Sequence, residues 1–403
     1  MKKYFTSLAL IAAFFFCSLS LNAADFGLVY NQKVDVTVPV SDLGETNSDI
    51  SGVLFPWFSV PLAEGSVFYF SAAVNYDTDP FEIIPELTRT DLTFNLGYAN
   101  ISFGRMFYTD SLGIIADGLF DGARVSIITG NGNIRFGAWY TGYLYKKRNE
   151  ITMTPKELHS MYVKVDYSDF ADTYFAPPRT LAAIEYDHPS VGGNLSLKTS
   201  IIGQFDSGDD KLNSQYFSVG VSFPVNSFIF DIGGCFELIE YNNKTSPAFA
   251  ADIGLTYILP TKLEKQIKLS GRYSSGVSED ESVGAFLPLT TIPQGDVIDA
   301  KLSGLSLLSL DFIGRLSKPL STNVSFTYFI RNDLGTYSYY PVLGTNSDGH
   351  FVGAELFGRL VWNITSGARM NFGTGVFLPK LGNAAPDASM LWRTKLNLIL
   401  SIY

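Results

Sequence analysis

The chain has 403 residues, of which 46% are apolar and 17% are charged, and its formal net charge is −10 at neutral pH. An acidic chain without a run of interleaved basic and aromatic residues is not expected to bind nucleic acid. The sequence has no Cys/His spacing typical of a metal centre and no glycine-rich phosphate loop, so it predicts neither a metal nor a cofactor.

The amino-terminus predicts export. Lys2 and Lys3 precede an apolar stretch over residues 8–21, and small residues follow at Ala23 and Ala24. This order is typical of a secretory signal peptide. The stretch is shorter than the roughly 20 apolar residues that a spanning helix needs. We therefore predict a signal peptide over residues 1–23.

The two cysteines do not predict a disulfide. Cys17 could indicate lipoprotein processing, but three phenylalanines precede it where small residues are preferred, and the simpler interpretation is that it leaves with the signal. Cys235 would then be the sole cysteine of the mature chain, so no intramolecular disulfide could form.

Residues 24–403 alternate large apolar side chains with polar or small ones, as in residues 91–98 and 324–328. Period two is the pattern of a strand with two different faces. The 36 Gly, 22 Tyr and 32 Phe suit a barrel wall with bends and interfacial aromatic girdles. A soluble β-sandwich also alternates, but its domains are nearer about 100 residues and need linkers that are not evident here. The sequence predicts one all-β domain, a transmembrane antiparallel β-barrel.

The alternating segments number eighteen, and sixteen strands stay possible if one hairpin is miscounted. They cover residues 26–38, 52–61, 66–76, 88–98, 100–107, 121–129, 133–146, 180–188, 193–205, 213–224, 226–240, 247–259, 264–275, 304–316, 321–332, 349–364, 367–379 and 388–403. Connections alternate between tight and long, as a barrel with both termini in the periplasm requires. The longest, near 147–179 and 277–303, are predicted to lie outside the barrel or to fold into its lumen.

The last strand predicts the compartment. It alternates through Leu396, Leu398, Leu400 and Ile402 and ends at the aromatic Tyr403. This ending is typical of barrels in the outer membrane of a diderm bacterium. We therefore expect the chain to contact outer-membrane lipid and to engage the barrel-assembly machinery through this strand; its oligomeric state is left open.

Strand parity also predicts which charged side chains face the lumen. The predicted basic positions are Arg89, Arg124, Arg135, Lys268, Arg272, Arg315, Arg331, Arg359, Arg369, Arg393 and Lys395; the acidic ones are Glu185, Asp231, Glu237, Asp252 and Glu355. A wall of one sign concentrates the opposite ion, so the basic set favours small anionic solutes. The alternative is that lumen Arg and Glu pair and only rigidify the barrel. Loop acids such as Glu279 and Asp280 could bind divalent cations, but a solvated face is the simpler interpretation.

One local motif goes beyond composition. Gly104-Arg105 is followed after a loop by Phe120-Asp121-Gly122 and then Arg124. This hairpin resembles one found in alginate-export-type proteins and related substrate-specific carboxylate porins. The resemblance implies an eighteen-stranded barrel whose lumen arginines help conduct acidic sugars or carboxylates, with Arg105 and Arg124 lining the pore. Parity places Arg105 with the lipid-facing Phe103 and Phe107, so a bulge or snorkelling is required.

The sequence therefore predicts an outer-membrane diffusion channel for small hydrophilic solutes, tilted to anions or carboxylates. The alternative is a structural or adhesive barrel that acts through its surface loops. An enzymatic function is not expected. The chain has three histidines, His159, His188 and His350; Ser160 and Ser190 lie beside the first two, but no third, orienting carboxylate of a hydrolase is evident.

Overall fold

The computed structural model describes residues 24–40, 46–62, 65–78, 81–208, 211–335, 349–385 and 387–402. The predicted signal peptide and Tyr403 lie outside these ranges. The strands are β1 (Asp25–Pro39), β2 (Asn47–Pro61), β3 (Val67–Thr78), β4 (Phe81–Asn95), β5 (Ala99–Thr109), β6 (Asp117–Ile128), β7 (Asn133–Tyr140), β8 (Arg179–Val191), β9 (Leu195–Asp206), β10 (Leu212–Val225), β11 (Phe228–Tyr241), β12 (Lys244–Ile258), β13 (Gln266–Ser274), β14 (Leu305–Arg315), β15 (Leu320–Arg331), β16 (Phe351–Thr365), β17 (Ala368–Leu378) and β18 (Leu391–Ile402).

These strands form a single closed antiparallel barrel. Each strand pairs with the strands before and after it in the chain, and β1 pairs with both β2 and β18. The predicted eighteen strands and the all-β barrel fold are thus confirmed. Closure leaves no sheet edge over most of the wall, which satisfies the backbone where no water can do so.

Tight turns and long loops lie at opposite ends of the barrel. The end with turns such as 129–132 and 225–228 is called the short-turn end, and the other is called the long-loop end. Two predicted longer connections are wrong, and in the first only residues 79–80 separate β3 from β4. Asn242 and Asn243 alone join β11 to β12, with φ of 51° and 60°. Asparagine tolerates this left-handed backbone, so the hairpin closes in two residues at the long-loop end.

The alternating pattern places apolar side chains on the outside. Leu356, Leu360, Trp362 and Ile364 on β16 are all exposed on the outer face. β16 departs from the predicted alternation at Val352, which is buried although strand parity places it on the lipid-facing side. The β15–β16 register shifts beside Gly353, and this bulge re-aims the side chain.

Three short helices lie in the long connection between β7 and β8. They are α1 (Lys146–Asn149), α2 (Pro155–Tyr162) and α3 (Phe170–Tyr174), and a 3₁₀ turn (Pro379–Leu381) follows β17. Thr154 and Glu157 cap α2 reciprocally, each side chain bonding the backbone N–H of the other residue. No helix in the described ranges is long and apolar enough to cross a bilayer.

Candidate functional site in the lumen

The candidate site is the lumen, and three loops from the long-loop end enter it. The β5–β6 loop (110–116) reaches far across. The Ser111 hydroxyl donates to Glu185 on β8 at 3.0 Å, and a Cβ at Gly220 on β10 would meet Leu112 at 2.5 Å. Since β10 is four strands from β6, this loop can reach it only through the interior.

The β13–β14 loop (275–304) enters the same space. Leu287 N–H donates to Glu237 on β11 at 2.8 Å, and Leu289 N–H donates to the Ile115 carbonyl of the β5–β6 loop at 2.8 Å. The β7–β8 loop (141–178) joins them, because Thr291 N–H donates to the Glu150 carbonyl at 3.1 Å. The two longest loops therefore fold into the lumen, which was one of the two predicted positions.

Apolar side chains of the three loops form one buried cluster against the wall. Loop members include Ile114, Ile115, Leu144, Ile151, Met153, Phe286, Leu289 and Leu302; wall members include Leu181, Ile202, Tyr216, Cys235, Ile239, Ala248 and Ala250. Removing this much apolar surface from water fixes the loops in place. The wall of β8–β12 is thereby covered, and solute space is left elsewhere.

Two cavities lie on the wall of β16–β18 and β1–β4. One, of about 420 Å³, is lined by Asp35, Asp49, Arg359, Asn371, Lys395 and Asn397 among others. The second, of about 210 Å³, is lined by Asn75, Asp77, Glu82, Tyr145, Lys147 and Arg148 among others. Lys33 and Ser51 line both cavities, so they mark the place where the two meet.

The predicted basic wall on β16–β18 faces the β13–β14 loop and is ion-paired with it. Arg359 binds Asp296 at 2.5 Å, and Lys395 lies 3.4 Å from Asp299. Arg393 binds Asp299 and, at 2.7 Å, Asp35 on β1. Loop carboxylates therefore neutralise much of the positive charge that the strand pattern predicts.

Three of the predicted acidic residues, Glu185, Glu237 and Glu355, accept hydrogen bonds from the loops. Glu355, 1% exposed, accepts from Asp296 N–H at 2.6 Å and Val297 N–H at 3.0 Å. Glu237 binds Leu287 N–H as described, and Glu185 accepts from Ser111. A carboxylate with well-placed N–H donors is a strong anchor in a buried site. These acids act on the loops that narrow the lumen.

The remaining predicted residues divide into paired and unpaired groups. Paired ones are Arg89 with Asp91, Arg135 with Glu185 and Asp187, Arg272 with Gln294, Arg315 with Glu264, Arg331 with the Gly349 carbonyl and Arg369 with Asn371. Across the described residues, Arg124, Lys268, Asp231 and Asp252 make no ion pair within 4 Å.

Arg105 does not have the geometry that the family resemblance implies. It shares a face of β5 with the outward, exposed Phe103 and Phe107, and the β5–β6 register runs through Gly104 without a shift. Its guanidinium donates hydrogen bonds to the Asp121 carboxylate, the Leu87 carbonyl and the Tyr143 carbonyl. With only 7% of its surface exposed, Arg105 belongs to the wall and not to the solute path.

Sequence reasoning missed Lys33 and the loop residues that meet near it. Lys33 has the inward parity of Asn31 and Asp35, so period two could have found it. Burial and the nearby Asp299 raise the pKa of Glu150, and burial lowers the pKa of Lys301. Lys301 donates to Thr152 Oγ1 at 2.7 Å. Loop residues do not alternate with a fixed period, so the sequence pattern could not identify Glu150, Thr152 or Lys301.

Two of the three histidines contact backbone atoms. His188 Nδ1 accepts from the Ser190 backbone N–H at 3.1 Å, so the Ser190 hydroxyl is not its partner. His350 Nδ1 lies 2.9 Å from the Arg331 carbonyl. Among the residues described, no three His, Cys, Asp or Glu side chains are grouped to hold a metal ion.

Asp110 organises the β5–β6 loop, and this yields a prediction. Its Oδ1 accepts from Ile115 and Ala116 N–H, both at 2.8 Å, and its Oδ2 accepts from Leu112 and Gly113 N–H. Asp110→Ala should leave these donors unsatisfied and speed amide hydrogen exchange over 112–116 by about tenfold or more. Asp110→Asn keeps one acceptor oxygen, so its exchange rates should lie between those of the parent protein and those of Asp110→Ala. Equal protection in all three proteins would contradict the assignment.

The fold and the loop-filled lumen define a class, the membrane-spanning β-barrel with an internal constriction. No family model matches the chain, and no curated protein matches its sequence. Solved structures do match. Pseudomonas aeruginosa OccK2 (OpdF), in complex with glucuronate, has a TM-score of 0.66 at 10% identity and covers 95% of this chain and 99% of its own.

Two further structures give the same result. Pseudomonas aeruginosa OccK5 (OpdH) has a TM-score of 0.62 at 10% identity, with 95% of this chain and 99% of the other covered. Acinetobacter baumannii OccAB1 has a TM-score of 0.62 at 11% identity, with 94% and 97% covered. This chain therefore has the fold of these Occ and Opd barrels, a closed eighteen-stranded antiparallel β-barrel.

Proposed function

We propose that the protein is an outer-membrane channel for passive diffusion of small hydrophilic solutes, with a preference for anions or carboxylates. The observation that carries this proposal is the space lined by polar and charged residues on the wall of β16–β18 and β1–β4, beside the three loops that enter the lumen. The larger cavity, of about 420 Å³, lies within the range of roughly 300–1,000 Å³ that is typical of small-molecule sites. The glucuronate bound to OccK2, a barrel of the same fold, agrees with a sugar-acid solute.

Anion preference depends on a basic side chain that has no carboxylate partner. Arg359, Arg393 and Lys395 are balanced by Asp35, Asp296 and Asp299. Lys33 is exposed to both cavities, and in the described chain it makes no ion pair within 4 Å. A fixed cation at a narrow point raises the local concentration of anions more than a neutralised wall does.

Lys33 therefore provides the test. In planar bilayers under a salt gradient, the refolded protein should show discrete conductance steps and an anion-favouring reversal potential. Lys33→Glu should lower the anion-to-cation permeability ratio by at least about twofold. Lys244→Glu makes the same charge change at an exposed turn and should leave the ratio unchanged.

Two outcomes would count against the proposal. A folded barrel that stays electrically silent would exclude a channel, and an unmoved reversal potential in Lys33→Glu would exclude this residue as the filter. Reversal at Arg359 or Arg393 is less informative, because it also breaks contacts that hold the β13–β14 loop.

A further inference from the structure

The β5–β6 hairpin leaves the barrel wall at one defined residue pair. The β4–β5 ladder ends at Thr90 with Arg105, and the β6–β7 ladder ends at Asp121 with Tyr140. Arg105 and Asp121 are also each other's partners in the β5–β6 ladder. Beyond this pair, residues 106–120 form ladder pairs only within the hairpin, and its tip crosses the lumen to β8 and β10.

A pair of glycines comes immediately before the departure point. Gly104 lies opposite Gly122 in the register, and Gly104 has φ of +113°. A Cβ on Gly104 would lie 2.2 Å from the Thr90 carbonyl oxygen, and one on Gly122 would lie 2.0 Å from that of Ala138. Both neighbouring strands thus approach too closely for any side chain, so the bend requires glycine on both strands.

The next pair joins all the elements that meet at the bend. Arg105 binds both oxygens of Asp121, each at 2.7 Å. It also donates to the Leu87 carbonyl on β4 and, at 2.9 Å, to the Tyr143 carbonyl beyond β7. A guanidinium presents its donors in a fixed fork, so one side chain can orient three partners at once.

The departure leaves a free strand edge on β4, and side chains of the β7–β8 loop cover it. The Pro85 carbonyl accepts from the Tyr174 hydroxyl at 2.8 Å, and the Ile83 carbonyl accepts from the Tyr167 hydroxyl at 2.5 Å. Pro85 has no N–H to offer a neighbouring strand, which suits it to an edge. Proline at position 85 is thus consistent with a β4 edge that loses its partner strand where the β4–β5 ladder ends at Arg105.

We propose that Gly104-Arg105 and Asp121-Gly122 form a hinge that turns the β5–β6 hairpin into the lumen, and that Arg105 positions the 110–116 loop as part of the constriction. The Arg105 side chain acts through the hairpin and does not touch the solute. This role rests on the proposed channel function only in that the loop narrows a conducting path. The hinge itself can be tested without any flux measurement.

The test is a disulfide trap between the loop and the far wall. Leu112→Cys and Gly220→Cys, made together in a Cys235→Ala background, place two thiols where Leu112 now meets position 220. The trap should close rapidly under mild oxidation when Arg105 is intact. Adding Arg105→Met should slow closure by about tenfold or more, because charge-assisted hydrogen bonds at the bend are lost. Asp121→Asn should slow it in the same direction.

Matched variants keep this outcome interpretable. Arg315→Met removes an arginine from an exposed ion pair with Glu264 and should leave the closure rate unchanged. Heat-modifiable gel migration would report folding of each protein, and Asp121→Asn decides the outcome if Arg105→Met does not fold. Closure rates that stay within twofold of the parent in the hinge variants, or that fall equally in Arg315→Met, would overturn the proposal.

Conductance of the same proteins separates this proposal from the channel function. A displaced loop should give a larger and noisier open current in Arg105→Met than in the parent. Slowed trap closure with unchanged current would overturn the constriction role of the hinge. A parent barrel that never conducts would refute the channel function, and the trap would still decide whether Arg105 directs the hairpin.

Discussion

Excising residues 276–303 should raise the single-channel conductance at least about twofold, because this loop fills much of the lumen and conduction follows the open cross-section. The ends to be joined are already adjacent, since Gly304 N–H donates to the Ser275 carbonyl at 3.1 Å. A short Asn-Gly link would suit such a hairpin. The measurement is the open current of the refolded variant in a planar bilayer.

The same excision should shift ion selectivity toward anions. It removes Asp296 and Asp299, and so Arg359 and Lys395 lose their carboxylate partners while Arg393 keeps only Asp35. Asp296→Asn with Asp299→Asn is the matched control, because it frees these charges and keeps the loop. The control should move the reversal potential in the same direction with a much smaller change in current. Unaltered conductance in the excision variant would show that the loop does not limit flow.

The barrel itself could be predicted from sequence because its rule is local. A strand with one face to lipid repeats every two residues, and tight turns carry Asn and Gly at fixed places. The errors fall where this rule is interrupted. Val352 is turned inward by a bulge at Gly353, and Asn242-Asn243 closes a hairpin in fewer residues than predicted.

The candidate site was harder to predict, because it depends on contacts between distant parts of the chain. Parity alone assigned Arg393 to the lumen, but its partners Asp35 and Asp299 lie 358 and 94 residues away in sequence. Parity therefore left open whether the basic wall is free or paired, and folding supplies loop acids to Arg359, Arg393 and Lys395. For Arg105, strand parity correctly placed the residue on the face of Phe103 and Phe107, whereas the family resemblance implied a pore-lining position.

Replacing Arg179 with Met should destabilise the protein by about 3–5 kcal/mol, the largest single-residue effect we expect. Arg179 is fully buried at the start of β8. Its guanidinium binds Glu157 Oε1 at 2.6 and 2.9 Å, Asp206 Oδ2 at 3.1 Å and the Leu212 carbonyl at 3.0 Å. Removing it leaves two carboxylates in a low-dielectric site without their cation. The free energy of unfolding in urea, measured in lipid vesicles, checks this.

A rescue separates lost pairing from lost packing. Adding Glu157→Gln and Asp206→Asn to Arg179→Met removes the uncompensated charges, so most of the lost stability should return. Lys244→Met breaks an ion pair whose side chains are 78% and 72% exposed, and it should cause no measurable change, since solvent screens such pairs. Because Glu157 caps α2, the destabilised protein should lose order first in the β7–β8 loop, with faster amide exchange over 154–162 than in β8. If the triple variant stays as unstable as Arg179→Met, packing of the arginine stem, and not charge balance, holds this loop to the barrel.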